Sequence, residues 1–235
     1  MKVANIVSIK DVLKIYHMGQ EKVPALQGVS LDIAEGAFCC LLGSSGSGKS
    51  TLLNMMAGLE KPTRGEIIIK GRHVEKMNEE TLAIFRQKHV GFVFQAYNLL
   101  PTRTALENVE MPLIFKGKPR KLRRKMAAEM LTAVGLGERL HHRPSQMSGG
   151  QQQRVGIARA FVDSPEIIFA DEPTGNLDTK TTDEVMRLIT RIARDNHQTL
   201  ILVTHEPEIA QYMDQVVTIR DGRVESVRCK ETKGV

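Results

Sequence analysis

Gly43-Ser44-Ser45-Gly46-Ser47-Gly48-Lys49-Ser50 holds three glycines, a lysine and several hydroxyls in one short run. Such a run can bind a polyphosphate. Glycines let the backbone curl until successive N–H groups face one anion. An apolar stretch, Phe38 to Leu42, precedes the run, and a helix-like stretch from Thr51 to Ala57 follows it. A strand, a glycine-rich loop and a helix start are the context that this motif needs. The helix N-terminus adds partial positive charge. Lys49 can reach the outer phosphates, and the Ser50 hydroxyl can hold Mg2+.

A second cluster of chemistry follows Ile167 to Ala170, where an apolar run ends in Asp171 and Glu172. Parallel strands present ligand sites at their C-terminal ends. Asp171 is therefore expected beside the loop, with an indirect or water-mediated hold on Mg2+. Glu172 is expected to polarise a water for in-line attack. His205 follows the apolar run Leu200 to Thr204, and Gln95 follows Val90 to Phe94. His205 could meet the terminal phosphate or the attacking water. Gln95 could sense the nucleotide through Mg2+ or water. A lone His or Gln at a strand end is often structural, but both stand at predicted C-terminal edges.

Ser148-Gly149-Gly150-Gln151-Gln152 forms a third candidate. Ser148 is a good N-cap for a helix running to about Phe161. That helix tip offers N–H groups to an anion, about a hundred residues from the first loop. Two half-sites for phosphate in one chain suggest that they meet between two copies.

These residues need a scaffold. Ile6 to Ile15 alternates as a half-buried strand does, and so do Val29, Leu31 and Ile33 before Gly36. Ala37 to Leu42 reads as a buried strand. A helix follows the loop, then a short strand at Glu66 to Ile69, a helix at Thr81 to Lys88 and a strand at Val90 to Phe94. From Ala96 to Phe161 strand signals stop. Met126, Met130, Leu131 and Val134 recur at helical spacing and predict one buried face. Strand and helix then alternate again: Ile167 to Ala170, Thr181 to Arg194, Leu200 to Val203. Val216 to Ile219 and Val224 to Val227 flank Arg220-Asp221-Gly222-Arg223, a hairpin signal. Cys229 to Val235 is expected to fray.

At 235 residues the chain suits one large domain or a domain with a subdomain. Net charge is +6, which fits a nucleotide, an anionic membrane surface or nucleic acid. Aromatics are 4% with no Trp, fewer than base-stacking nucleic-acid binders carry. Of three cysteines, Cys39 and Cys40 lie in the apolar strand and read as reduced core residues. The N-terminus alternates polar and apolar residues, unlike a signal peptide. No apolar run is long enough to span a bilayer. A cytoplasmic location is expected.

The ordered motifs resemble those of the ATP-binding subunits of ABC transporters over essentially the whole chain. The matching strings are the Walker A loop Gly43–Ser50, the Q-loop at Gln95, the signature Ser148–Gln152, the Walker B pair Asp171 and Glu172, the D-loop Gly175–Asp178 and the switch His205. The resemblance implies an α/β fold: a P-loop NTPase core, a mixed sheet with an antiparallel part, and an inserted α-helical subdomain. One ATP-binding domain over 1–235 is implied, with the core at 1–95 and 162–228 and the helical subdomain at 96–161. It implies ATP and Mg2+ as ligands, with Ser50, Gln95 and Asp171 toward the metal and Glu172 and His205 in hydrolysis. ATP would contact Tyr16, Gly43, Ser44, Ser45, Gly46, Ser47, Gly48, Lys49, Ser50, Thr51 and Gln95. Across a head-to-tail homodimer it would meet the other copy's Ser148, Gly149, Gly150, Gln151 and Asp178. Tyr16 falls where such proteins stack an aromatic on adenine. Met147 stands where Leu is commoner, a volume-conserving change.

The strings Val90–Gln95, Thr104–Val109 and Asp171–Asp178 resemble the lipoprotein-releasing and macrolide-export type. That likeness implies a separate membrane permease, a peripheral location on the inner face of the cell membrane, and mechanical transmission of force. A non-transport member, such as a cell-division membrane-complex ATPase, is the alternative; a small-molecule phosphotransferase leaves Ser148–Gln152 unexplained. Lys116 to Lys125 holds seven Lys or Arg in ten positions. A solvated helix start explains it, contact with anionic headgroups is the sharper reading, and nucleic acid is the least supported.

Overall fold

The protein is described here by a computed structural model covering residues 4–19 and 21–230. In chain order its elements are β1 (Asn5–Met18), β2 (Glu21–Ala34), β3 (Phe38–Leu42), α1 (Lys49–Met56), β4 (Arg64–Ile69), β5 (Arg72–His73), α2 (Glu79–His89), β6 (Val90–Val93), α3 (Ala105–Phe115), α4 (Arg120–Ala133), α5 (Gly149–Phe161), β7 (Ile167–Asp171), α6 (Thr179–Asp195), β8 (Thr199–Thr204), β9 (Gln215–Arg220) and β10 (Arg223–Cys229). They divide into two compact units, residues 1–86 with 199–235, and residues 87–198.

The first unit holds an antiparallel sheet in the order β2-β1-β4-β5. Alternation decides its register. Leu26, Val29, Leu31 and Ile33 of β2 are buried while their neighbours reach solvent. The unit's other strands run β10-β9-β3-β8. β3 is parallel to both β8 and β9, pairing Leu42 with Thr204 and with Thr218. Successive side chains of a strand point to opposite faces, and in β3 both faces are covered, which accounts for the unbroken apolar run Phe38-Cys39-Cys40-Leu41. Cys39 and Cys40 are free and buried, and burial pushes both thiols up, Cys40 to about 12. Asp221 and Gly222 both have positive φ, 47° and 73°, the conformation that a tight two-residue hairpin requires. β10 runs through Cys229, so the strand is longer than the sequence suggested; residues 231–235 lie outside the described residues.

The second unit holds the parallel pair β6–β7, with Val93 opposite Ala170. β6 closes at Val93, one residue short of the expected Phe94, and leaves Gln95 in the following turn. Helices α3, α4 and α5 pack on one another. Thr104 starts α3 with a reciprocal capping box to Glu107. The amide of the fully buried Asn108 accepts from Leu100 N (2.8 Å) and donates to the carbonyls of Leu100, Arg103 and Thr104. It thereby ties the backbone of the loop before α3 to the first turn of that helix. The buried seam of α4 is Ala127 and Leu131, continuing to Val134. Met126 and Met130 lie half-buried beside it.

Much of the basic stretch is paired within this unit, five cations sharing three carboxylates. Arg123 and Arg124 reach the buried Glu110, at 3.0 and 3.7 Å. Lys116 and Lys118 both bond Asp163. Burial works to raise the Asp163 pKa, but hydrogen bonds and charge from the two ammonium groups outweigh it and pull the carboxyl down. Lys125 lies 3.8 Å from Glu129, one helical turn on. Five of the seven cations are thus committed to carboxylates of the same unit.

Candidate active site

Gly43 to Gly48 leaves the C-terminal end of β3 and turns into α1. The turn is closed by Ser47 N donating to Ser44 O at 3.2 Å. Gly48 is the N-cap of α1 with φ 100°, and no side chain caps the helix. A Cβ on Gly48 would lie 2.5 Å from Ala25 O, so both the conformation and the space demand glycine. Gly43 is pressed in the same way against the Ile219 carbonyl. The loop is therefore wedged between β2 and the β9–β10 hairpin, and Gly222 N donates to Ser47 O at 3.0 Å.

Lys49 is the exceptional side chain. It is buried, at 4% exposure, and its ammonium donates to Ser44 O at 2.7 Å. Buried lysines are rare because desolvating a cation is costly. Here the cation lies folded across the mouth of the turn. Ser47 Oγ is buried with no hydrogen-bond partner. An open helix end, a buried ammonium and an orphaned hydroxyl make a cradle suited to phosphate oxygens. Ser50 is exposed on the first turn of α1, and Thr51 is half-buried. His205 directly follows Thr204, the register partner of Leu42, so His205 and Gly43 leave neighbouring strands at one edge.

Tyr16 lies in the same unit, near the end of β1. Its hydroxyl donates to Glu60 Oε2 at 2.5 Å, and the Lys14 ammonium stands 5.0 Å from the ring centroid. Burial first, then the Glu60 hydrogen bond, raises the phenol pKa. The ring is thus oriented through its hydroxyl.

In the second unit, Asp171 is the last residue of β7, and Glu172 follows with φ 41°. A glutamate in the left-handed region costs on the order of 1 kcal/mol, and such strain concentrates at functional positions. Gly175 N donates to Glu172 O at 3.1 Å. A Cβ on Gly175 would lie 2.8 Å from Gln95 Nε2 and 3.3 Å from Glu172 Oε2. The amide of Gln95 and the carboxylate of Glu172 therefore converge on one glycine. Asn176 Nδ2 donates to Gln95 O at 3.0 Å, and the buried Gln153 donates to Pro173 O at 2.6 Å.

Ser148 is the N-cap of α5. Its Oγ accepts from Gln151 N at 3.3 Å, while Gln151 Oε1 accepts from Ser148 N at 3.1 Å. Asp178 caps α6 and accepts from Thr181 N (3.1 Å) and Thr181 Oγ1 (2.6 Å), bonds that lower its pKa. Ser148–Gln151 and Asn176–Asp178 line one polar cleft of about 480 Å³, with Arg139 and Arg154 at its rim.

Sequence reasoning found the loop, the carboxylates and the capped helix tip. It missed the bracing of Ser47 by Gly222 and the hold of Gln153 on the Walker B turn. The Asp-Gly pair announced a hairpin, but nothing local announced where that hairpin would press.

This combination of a phosphate loop opening α1, a strand ending in Asp171–Glu172 and a capped Ser-Gly-Gly helix defines a P-loop ATPase with an inserted helical segment. Residues 26–175 match the family model described as ABC transporter, and the chain belongs to that family. It is an ATP-binding protein of the family and an ATPase by class. An uncharacterized ABC transporter ATP-binding protein of Thermotoga maritima is 51% identical over 98% of this chain and 97% of its own length. The lipoprotein-releasing system ATP-binding protein LolD of Geobacter metallireducens is 47% identical over 94% of this chain and 98% of its own. The macrolide export ATP-binding/permease protein MacB of Brucella melitensis is 48% identical over 94% of this chain, which spans only 34% of that protein. Among solved structures, the ATP-binding cassette MJ0796, a dimer in a post-hydrolysis state bound to ADP and Pi, superposes with a TM-score of 0.89 at 43% identity, covering 97% of this chain and all of that one. Among the described residues, no helix is long and apolar enough to cross a membrane.

Proposed function

We propose that this chain is the ATP-hydrolysing subunit of a transporter whose membrane-spanning permease is a separate polypeptide, and that it works in lipoprotein release or export. It works as a head-to-tail homodimer on the inner face of the membrane. Two ATP molecules are held between copies, each on one subunit's Gly43–Thr51 loop and the other's Ser148–Gln151 and Asp178, with Tyr16 against adenine. The observation that carries this reading is the uncapped start of α1 around the buried Lys49. A buried cation beside a helix start that carries no side-chain cap favours an anion there. LolD, matched over nearly its full length, supports the subunit arrangement, and the dimeric MJ0796 supports the pairing.

The residues present also fit Mg2+. Ser50 hydroxyl, Gln95 amide oxygen and Asp171 carboxylate are hard oxygen donors. Among the described residues no cluster of three His, Cys, Asp or Glu forms a closed metal site. That suits an ion which takes few protein ligands and completes its shell with phosphate and water. Bound there, Mg2+ would neutralise phosphate charge. Lys49 and the loop N–H groups hold the β- and γ-phosphates and stabilise charge as the terminal P–O bond breaks. Glu172 takes the proton of the attacking water, and His205 orients the terminal phosphate. ADP and inorganic phosphate leave, and the dimer reopens.

Glu172→Gln tests this. It keeps the shape of the side chain and removes the base. ATP binding should persist, kcat should fall about 100-fold or more, and a stable ATP-bound dimer should accumulate in size-exclusion chromatography. Normal turnover by that variant would refute the assignment of the base.

A further inference from the structure

The turn after Gln95 carries two consecutive non-glycine residues in the left-handed region, Tyr97 (φ 57°) and Asn98 (φ 48°). Such a pair persists only where the surroundings over-determine it. The surroundings here are α5. Arg159, near the C-terminal end of that helix, donates to Tyr97 O at 2.8 Å and to Asn98 O at 2.6 Å. The planar guanidinium fork holds both carbonyls in one fixed geometry.

Tyr97 faces α5 at two points. Its backbone carbonyl oxygen lies 3.7 Å from where a Cβ on Gly156 would be. Its hydroxyl lies 2.9 Å from where a Cβ on Gly149 would be. Residues 149 and 156 are seven apart, two helical turns on one face. The tyrosine thus occupies a shallow track along α5 and ends at the second residue of Ser148-Gly149-Gly150. No alanine at 149 would pass that hydroxyl without a shift. Upstream in the same turn, Gln95 faces Glu172 across Gly175.

From this we infer that Tyr97 is a positioning residue: a strut that sets the Ser148–Gly150 helix tip relative to the Gln95 turn, so that movement of the turn is passed to the surface offered to the second copy's nucleotide. The inference rests on the dimer reading given above. It makes Tyr97 a determinant of dimer closure and leaves nucleotide capture by Gly43–Thr51 to the first unit. The ring does most of the spacing, and the hydroxyl adds the final contact at Gly149.

The test uses the full chain in the Glu172→Gln background. ATP-driven dimerisation is measured by sedimentation, and binding of a fluorescent ATP analogue is measured at concentrations where the subunit stays single. Tyr97→Leu keeps apolar bulk at the turn but cannot reach Gly149. It should weaken dimerisation about tenfold or more and leave analogue binding unchanged. Tyr97→Phe keeps the ring and should restore most of the dimerisation, within about threefold of the parent. Should Tyr97→Leu fail to fold, Tyr97→Trp overfills the same track and gives the same split between dimerisation and binding. Unchanged dimerisation in the Leu or Trp variant overturns the strut, as does a parallel loss of analogue binding. A Glu172→Gln parent that forms no ATP-dependent dimer refutes the underlying dimer reading, and the strut falls with it.

Discussion

Two helix N-termini in this chain face the same electrostatic task and are built differently. α1 begins at Gly48 with no side-chain cap, beside a buried Lys49 and an orphaned Ser47 hydroxyl. α5 begins at Ser148 with a full reciprocal capping box to Gln151. The first has no side chain of its own at the cap, so the partial positive charge of its helix end is left for an anion. The second bonds its Gln151 N–H and Ser148 N–H from within, so its shape does not depend on a ligand. A helix start that relies on a ligand gains affinity at the expense of stability without it. One that caps itself is preformed and can meet a ligand brought by another molecule. This difference matches one half-site that captures nucleotide and another that recognises nucleotide already held.

The comparison breaks most sharply at Ser148. Ser148→Arg should abolish the ATP-dependent dimer in light scattering while the single subunit still binds ATP. A dimer that survives would mean that the α5 tip never faces a nucleotide. Next in size, Lys49→Ala removes the buried ammonium. ATP affinity of the single subunit, by isothermal titration, should fall about 10- to 100-fold, the worth of a charge-assisted contact. An unchanged affinity would dissolve the distinction between capturing and recognising ends. The smallest effect separates capping from recognition. Thr104→Ala and Ser148→Ala each remove one reciprocal cap and should each lower unfolding free energy by about 1 kcal/mol in urea. Only Ser148→Ala should also weaken the dimer. Equal effects of both on the dimer would reduce Ser148 to a helix cap.

Much of this was readable along the chain, because the signals are local. Alternation at Val29, Leu31 and Ile33, the continuous apolar run of β3, the Asp221-Gly222 turn and Ser148 before Gln151 each declare an element within a few residues. Reading failed where a partner decides. Met126 and Met130 have the spacing of a core face with Leu131 and Val134, yet Ala127 takes their place beside Leu131 in the buried seam. In the run from Lys116 to Lys125, Arg120, Lys121, Arg124 and Lys125 stay exposed as a solvated helix start does, but no local pattern reveals that Lys116, Lys118 and Arg123 turn onto Asp163 and Glu110. β5 is two residues long and exists through its pairing with β4, so it left no trace in periodicity.

What the amino-acid sequence determined by itself is the chemistry available: a phosphate loop with its lysine, a carboxylate pair closing an apolar strand, and a self-capped glycine helix start. Those properties depend on neighbours within one turn or one strand. Tertiary structure alone decided how the groups are aimed. Gly222 meets Ser47, Gln95 meets Glu172 at Gly175, and Tyr97 lies along Gly156 and Gly149, all between residues far apart in the chain. Such contacts arise from strand order and helix packing, which a short-range code does not contain.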